Sequence, residues 1–303
     1  MPTSVGAGPF FLRGDAVNDD KPAFRFGTLT LAFAGLGDME DLGPKYESHR
    51  ASADCRVDGI VEVSVDGALP HLVPRDDFGV LREWSIDGSR LKIATGRWRA
   101  EVALERGAVS RVVMRRWRAW EFDLLMGCLV QVMAPVYDRG IVFHGSSVLR
   151  AGRGYLFFAP SETGKSTVAQ FSKDKGYSVL AEEMSFIGLS ANGDGPTLHR
   201  LPIRERNELR CEGSRSAPLC GLFRLMQANS DRIEPLDRHE AVLELAGAAA
   251  IGARAPIVMD AALRSIDSLL GFVEPSRLCF TRSSRFWDVI ETFETEAIGV
   301  EPS

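Results

Sequence analysis

The chain has few cysteines, and their spacing excludes more than their number does. The five, at positions 55, 128, 211, 220 and 279 of 303, include no pair two residues apart that would clamp a zinc ion. An odd, scattered set fits reduced thiols better than a secreted disulfide framework. Cationic excess is lacking too: 36 Lys+Arg against 41 Asp+Glu leaves a formal charge of -5. A dedicated nucleic-acid binder needs a basic face for its phosphate contacts, so no nucleic-acid partner is expected. The N-terminus up to Arg13 shows no basic stretch followed by an apolar run, so no signal peptide is read there. The longest apolar stretch, residues 124–136, is interrupted by Gln131 and Pro135, follows Glu121 and Asp123, and reads as too short to span a bilayer. With no repeat, no low-complexity segment and ordinary glycine and proline usage (29 and 15), the expectation is a soluble, cytoplasmic globular protein without a membrane partner.

What is present is a 45% hydrophobic, 25% charged chain, long enough for one large or two ordinary domains. Residues 24–114 read as β-rich. Val61, Val63 and Val65 alternate with Glu62, Ser64 and Asp66 before a turn at Gly67. Asp87-Gly88 separates Trp84 and Ile86 from Leu91 and Ile93, a hairpin signal. Trp98, Ala100, Val102 and Leu104 alternate again, and the whole is expected to be an antiparallel meander. Residues 117–138 then turn helical and are apolar around most of their circumference, as in an element buried on several sides between two parts. The expected division is a β-rich N-terminal domain, residues 1–116, and an α/β domain, residues 117–303.

The α/β domain opens with strand signals at 141–148 and 154–159. A helix is expected over 164–175, stopped by Gly176, then a strand over 177–181, and this βαβ order implies a nucleotide-binding core. Further helices are expected at 238–253 and 260–272, a strand at 278–281 and a helix from Phe286. Between the strand at 154–159 and the first helix stands Ala159-Pro-Ser-Glu-Thr-Gly164-Lys165-Ser166-Thr167. A phosphate loop needs inward-pointing backbone amides, a lysine for the β- and γ-phosphates and a hydroxyl for magnesium. Gly164-Lys165-Ser166 supplies the last two in the register G-x-x-x-x-G-K-[ST], with Ala159 replacing the first glycine. A bare Gly-Lys-Ser decides little, but the flanking apolar run 156–158 and the helix carrying Val168 and Phe171 are the context such a loop requires. Glu162 places a carboxylate in a loop meant for phosphate and is tolerable only if it faces outward.

Two flanking motifs add to this. His144-Gly145-Ser146-Ser147 precedes the loop, and Leu180-Ala181-Glu182-Glu183 ends a strand in paired carboxylates, where both metal binding and proton abstraction want acids. Together with the loop A-P-S-x-T-G-K-S-T they resemble the C-terminal domain of HPr kinase/phosphorylase and its related kinases. Ala217-Pro-Leu-Cys-Gly-Leu-Phe-Arg-Leu and Phe286-Trp-Asp-Val-Ile are similar to further segments of that family, and Phe24 to Leu31 more weakly so. The likeness covers about residues 141–292, half the chain. It implies an α/β P-loop kinase core of HPr kinase type behind an N-terminal β-rich domain. It also implies an ATP- and Mg2+-dependent kinase for a serine or threonine of a protein or peptide, in a subgroup that includes kinases tailoring ribosomally made peptides such as lasso-peptide precursors.

Carried over by resemblance, Lys165 holds the β- and γ-phosphates and Ser166 binds Mg2+. Thr163 and Gly164 donate loop amides, and Ser161, Glu162 and Thr167 complete the nucleotide-binding stretch. His144 lies beside the phosphates or the acceptor, Glu182 is the base, and Glu183 helps to hold the metal. The family usually has aspartates at the last two positions, so each side chain here is longer by one methylene. The segment that serves the family's phosphorolysis is not found, and that reverse activity is not carried over. Homo-oligomerisation stays open.

Other features have plainer readings. His199, Arg200, Arg204, Arg206, Arg210 and Arg215 would grip phosphates or an acidic peptide, but Glu205, Glu208 and Glu212 interleave and make a self-paired loop an equal account. His49, His71 and His239 have no partner the sequence names. Trp84, Trp98, Trp117 and Trp120 read as core or interface packing. Ser146 and Ser147 read as strand-end hydrogen bonders before acceptor-site groups. Asn192 to Gly195 is turn chemistry. Rival functions are a nucleotide-binding regulatory or scaffold protein and a small-molecule kinase.

Overall fold

The computed structural model describes residues 21–36, 44–52, 54–69, 83–190, 192–202, 214–251 and 254–298. They form a mixed α/β structure with two sheets. The first sheet takes its strands from the N-terminal third: β1 (Ala23–Phe26), β2 (Leu29–Ala34), β3 (Gly59–Val65), β4 (Glu83–Asp87), β5 (Arg90–Ala94), β6 (Trp98–Ala103) and β7 (Val109–Met114). A one-turn helix, α1 (Pro44–Glu47), lies between β2 and β3.

Strand order is β1-β2-β3-β7-β6-β5-β4. The expected antiparallel meander holds only for β4 to β7, because β2–β3 and β3–β7 pair in parallel. The turns at Gly67 and Gly88 were legible. Which strand the meander returns to is a long-range choice that no local pattern encodes. The expected hairpin forms, with Asp87 opposite Arg90 and Gly88 at φ 58°. Trp98 is buried, but Trp84 on the edge strand and Trp120 are 42% and 43% exposed, so neither is a core residue, and Trp120 carries the Arg97 guanidinium 4.3 Å from its ring.

The apolar helix forms as α2 (Ala119–Val136). Phe122, Leu125, Met126, Leu129, Val130, Val132 and Met133 share one core with the inner faces of β1 to β3 and β5 to β7 and with Val142, Met184 and Phe186 of the second sheet. Its apolar circumference follows from this double burial. At 18 residues α2 is long and apolar enough to cross a membrane by length and composition, contrary to the reading from 124–136 alone, but it is two-thirds buried inside the protein as a core helix.

The second sheet is built from β8 (Gly140–Arg150), β9 (Arg153–Phe158), β10 (Ser178–Ala181), β11 (Met184–Gly188), β12 (Thr197–His199), β13 (Ser216–Gln227), β14 (Arg232–Pro235) and β15 (Pro275–Phe280), with helices α3 (Lys165–Asp174), α4 (Arg238–Ala248), α5 (Pro256–Leu270) and α6 (Phe286–Ile298). Strand β8 runs antiparallel to both β9 and β10, so those two run the same way with β8 between them. Strand β9 also pairs in parallel with β13, and β13 with β15. Along β9, Tyr155 and Phe157 pack with α3 and α6, while Leu156 and Phe158 pack with α4 and α5. Burial on both faces explains the unbroken apolar run in the sequence. Helix α5 begins earlier than expected, with Pro256 in its first turn, where the missing N–H costs no hydrogen bond.

Candidate functional site

The connection from β9 to α3 carries the residues that the sequence singled out. The first α3 amide with a helical partner is that of Val168, bonded to the Gly164 carbonyl at 2.9 Å. Among the described residues, no acceptor lies within hydrogen-bond geometry of the backbone N–H groups of residues 161, 162 and 164–167, while residues 161–162 form a turn that folds Thr163 back on Pro160. A run of open amides at a helix N-terminus is an anion cradle. The loop reaches this shape through two left-handed residues, Glu162 at φ 65° and Gly164 at φ 115°. Gly164 is required twice over, since a Cβ there would stand 2.6 Å from the Phe280 ring. The Glu162 side chain is exposed, as a loop for phosphate demands. Thr163 closes the loop on itself, its hydroxyl donating to the Pro160 carbonyl at 2.9 Å.

Lys165 turns back across this loop. Its Nζ donates to the carbonyls of Ala159 and Pro160, each at 2.9 Å, and the residue is only 8% exposed. Burial pushes its pKa down, and the nearby Glu183 carboxylate partly offsets that. A desolvated cation held by neutral carbonyls is one that an arriving anion stabilises further. Ser166 is exposed in the first turn of α3, and Thr167 is half-buried behind it.

The acid pair sits at an interruption of the sheet. Register runs on from Ala181 opposite Ser147 to Met184 opposite His144, which sets Glu182 and Glu183 opposite Ser146 and Gly145. The Gly145 amide donates to the Glu183 carbonyl at 3.0 Å. Ser146, fully buried, donates to the Lys165 carbonyl at 3.1 Å and so ties β8 to the start of α3. Its expected role as a strand hydrogen bonder is the one observed. The Ser147 hydroxyl is buried with no partner among the described residues. Gly145 makes the close approach possible, because a Cβ would lie 2.8 Å from the Phe157 carbonyl oxygen. Strand β8 therefore brings His144, the acid pair and Lys165 to one end of the second sheet.

Gln227, at the end of β13, was not singled out by the sequence. Its Nε2 donates to the loop carbonyls of Thr163 at 3.2 Å and Glu162 at 3.5 Å. Phe280, which underlies Gly164, was missed for the same reason: β13 and β15 bring both to the loop from more than 60 residues away. A groove of about 540 Å3 opens beside Ala159, Pro160 and Ser161, with His144 and one face of α4 completing its lining.

The basic run is elsewhere. His199 pairs with Ser216 at the start of β13, whereas Gln227 at its end touches the loop, a separation of roughly 35 Å at about 3.3 Å per residue. His199 packs against Phe186, and burial pushes its pKa down to about 4. The Arg200 amide donates to the Arg215 carbonyl at 2.9 Å there, and the Arg215 guanidinium donates to the Ser48 carbonyl. Arg204, Arg206 and Arg210, with Glu205, Glu208 and Glu212, lie outside the described residues, as do His71 and Cys211. His49 has an ordinary structural setting, with Ser48 Oγ at 3.0 Å and the Arg200 carbonyl at 3.3 Å. His239 sits in the first turn of α4, its amide bonded to Asp237.

Among the described residues no three His, Cys, Asp or Glu side chains gather as a ready-made metal cage. A magnesium held between phosphates, one hydroxyl and one carboxylate needs no such cage, and Ser166 and Glu183 are groups of the right chemistry for it.

Residues 118–265 match the family described as SynChlorMet cassette protein ScmC, which is just under half of the chain. No curated protein matches. Among solved structures, the Hpr(Ser) kinase/phosphatase from Coxiella burnetii is similar over 52% of this chain and 99% of that one, at 10% identity and a TM-score of 0.31. At that distance, function has to be read from the site's own residues.

Proposed function

We propose that the protein is an ATP-dependent phosphotransferase that moves the γ-phosphoryl group to a serine or threonine hydroxyl of a protein or peptide, with Mg2+ as cofactor. The observation that carries this reading is the buried Lys165 folded over a loop of open amides, with the Glu182-Glu183 pair in the break between β10 and β11 alongside β8. In this reading the open amides of the loop and Lys165 hold the phosphates. Ser166 and Glu183 would hold a magnesium ion, which would supply neutralisation of phosphate charge. Glu182 accepts the proton of the acceptor hydroxyl as its oxygen bonds to the γ-phosphorus, and the bond to the bridging oxygen breaks to release ADP. His144 lies where acceptor and loop meet and orients the hydroxyl.

A second reading, a nucleotide-binding regulatory protein with little transfer, draws support from the acids themselves. Two glutamates stand where the resembling family has aspartates, and in-line transfer is sensitive to ångström-scale displacement. One variant separates the two. Glu182→Gln is expected to abolish transfer from γ-labelled ATP while Mg·ATP affinity stays within a few-fold, because a base acts on the acceptor and not on ground-state binding. Wild-type protein that binds ATP but labels no acceptor would favour the regulatory reading.

A further inference from the structure

We propose that the cleft at the seam of the two sheets, between the β1–β2 turn, the segment ahead of β3 and the chain just after β11, binds a small polyanion carrying two carboxylate or phosphate groups. The cleft measures about 550 Å3, within the range of small-molecule sites. Arg25, Arg56 and Arg139 line it together with Asp54 and Asp58. Hydroxyl and amide donors come from both sides of the seam, Thr28 and Ser52 from one and Ser190 and Asn192 from the other. The cleft is separate from the nucleotide loop. Arg139 stands just before β8 and Leu189 just after β11, where Gly140 pairs with Gly188. His144 and its partner Met184 lie four residues further along those strands, roughly 13 Å away at about 3.3 Å per residue.

Charge selects the occupant. Asp58, buried, takes Arg139 at 2.7 Å and Arg106 at 2.8 Å on the same oxygen, so one carboxylate serves two guanidiniums. Its other oxygen takes the Thr30 amide at 2.9 Å. Asp54 is exposed and has Ser52 as its foremost hydrogen-bond partner. Arg25 turns to a thiol, its Nη2 donating to Cys55 Sγ at 2.7 Å. Arg56 is exposed and acts on Asp58 only through space. Four guanidiniums, those of Arg25, Arg56, Arg106 and Arg139, therefore stand around two carboxylates, and the seam keeps a positive excess within a chain whose formal charge is -5. Guanidiniums that converge on one cleft attract an anion by their summed field and hold its oxygens in forked geometry. An excess of two charges matches an occupant with two anionic groups, and a cationic ligand would add to it.

The readout has to be local, because the nucleotide loop would also take a phosphate. Cys55 lines the cleft and is half-buried, so its rate of alkylation in the full chain, followed by peptide mass mapping, reports occupancy there. Cys220, also half-buried but on β13, is the internal reference. The probes are citrate and pyrophosphate, each compared with sodium chloride at equal ionic strength. At saturation, alkylation of Cys55 is expected to slow at least tenfold while that of Cys220 changes less than twofold. Protection by citrate alone would assign a carboxylate ligand, and protection by pyrophosphate alone a phosphorylated one. Arg56→Gln, at an exposed side chain, is expected to raise the half-protecting concentration at least tenfold with an unchanged urea midpoint, and Arg56→Lys to stay within about threefold of the wild type. Protection by neither anion, equal protection by sodium chloride, equal slowing at Cys220, or undiminished protection in Arg56→Gln would overturn the assignment.

Discussion

Gly164 shows how a single position couples sequence to site. Its φ of 115° lies where a side chain is strained, and Phe280 fills the space a Cβ would need. Gly164→Ala is expected to cost about 1–3 kcal/mol of stability from the backbone alone, read as a lowered urea midpoint, and to weaken nucleotide binding by distorting the loop. An unchanged midpoint would mean that the loop relaxes freely and is not preorganised. At this scale the sequence was most legible: Lys165, Ser166, His144 and the acid pair were all singled out, and the fold brings them to one end of one sheet. Gln227 and Phe280 were not legible, because nothing in a glutamine after an apolar run, or in a phenylalanine ending a strand, marks it as a support for a loop elsewhere in the chain.

Among the elements, β8 organises the site, carrying His144 and Ser146 past the acid pair on one strand. The sequence read residues 177–181 as a strand ended by two acids. It did not show that the chain resumes as β11 along the same strand β8, so the acids interrupt the pairing with β8 rather than end it. A short polar break in a strand looks the same in sequence as a terminus. Strand β12 has its own consequence. Burial depresses the His199 pKa to about 4 from an ordinary 6.5, so the unfolded chain takes up a proton that the folded chain refuses. The resulting stability is fully present above about pH 6.5 and is lost as pH falls toward 4, a loss on the order of 3 kcal/mol. Denaturation at pH 7 and pH 4.5 should therefore show a fall in the wild type about 2 kcal/mol larger than in His199→Gln. Equal falls in the two proteins would show that His199 protonates without penalty.

At the scale of the molecule, α2 and one carboxylate join the two sheets. Helix α2 was legible from its all-round apolar surface, and it packs against residues of both sheets. The parallel pairings of the first sheet were not, since strand partners 28 and 49 residues apart leave no local trace. Asp58 is 2% exposed, takes the Thr30 amide at 2.9 Å, and is bonded by Arg106 at 2.8 Å and by Arg139 at 2.7 Å, just ahead of β8. Asp58→Ala leaves two partly exposed guanidiniums without their counterion and is expected to cost about 1–3 kcal/mol by urea denaturation. A cost below about 1 kcal/mol would mean that water substitutes for the carboxylate. The central claim is narrower than the fold: the 161–167 loop and Lys165 hold a nucleoside triphosphate. Calorimetric titration of the intact protein with Mg·ATP tests it most directly. One-to-one binding in the wild type, lost in Lys165→Ala with folding intact, is the predicted result. No binding in the wild type, or equal binding in Lys165→Ala, would contradict it.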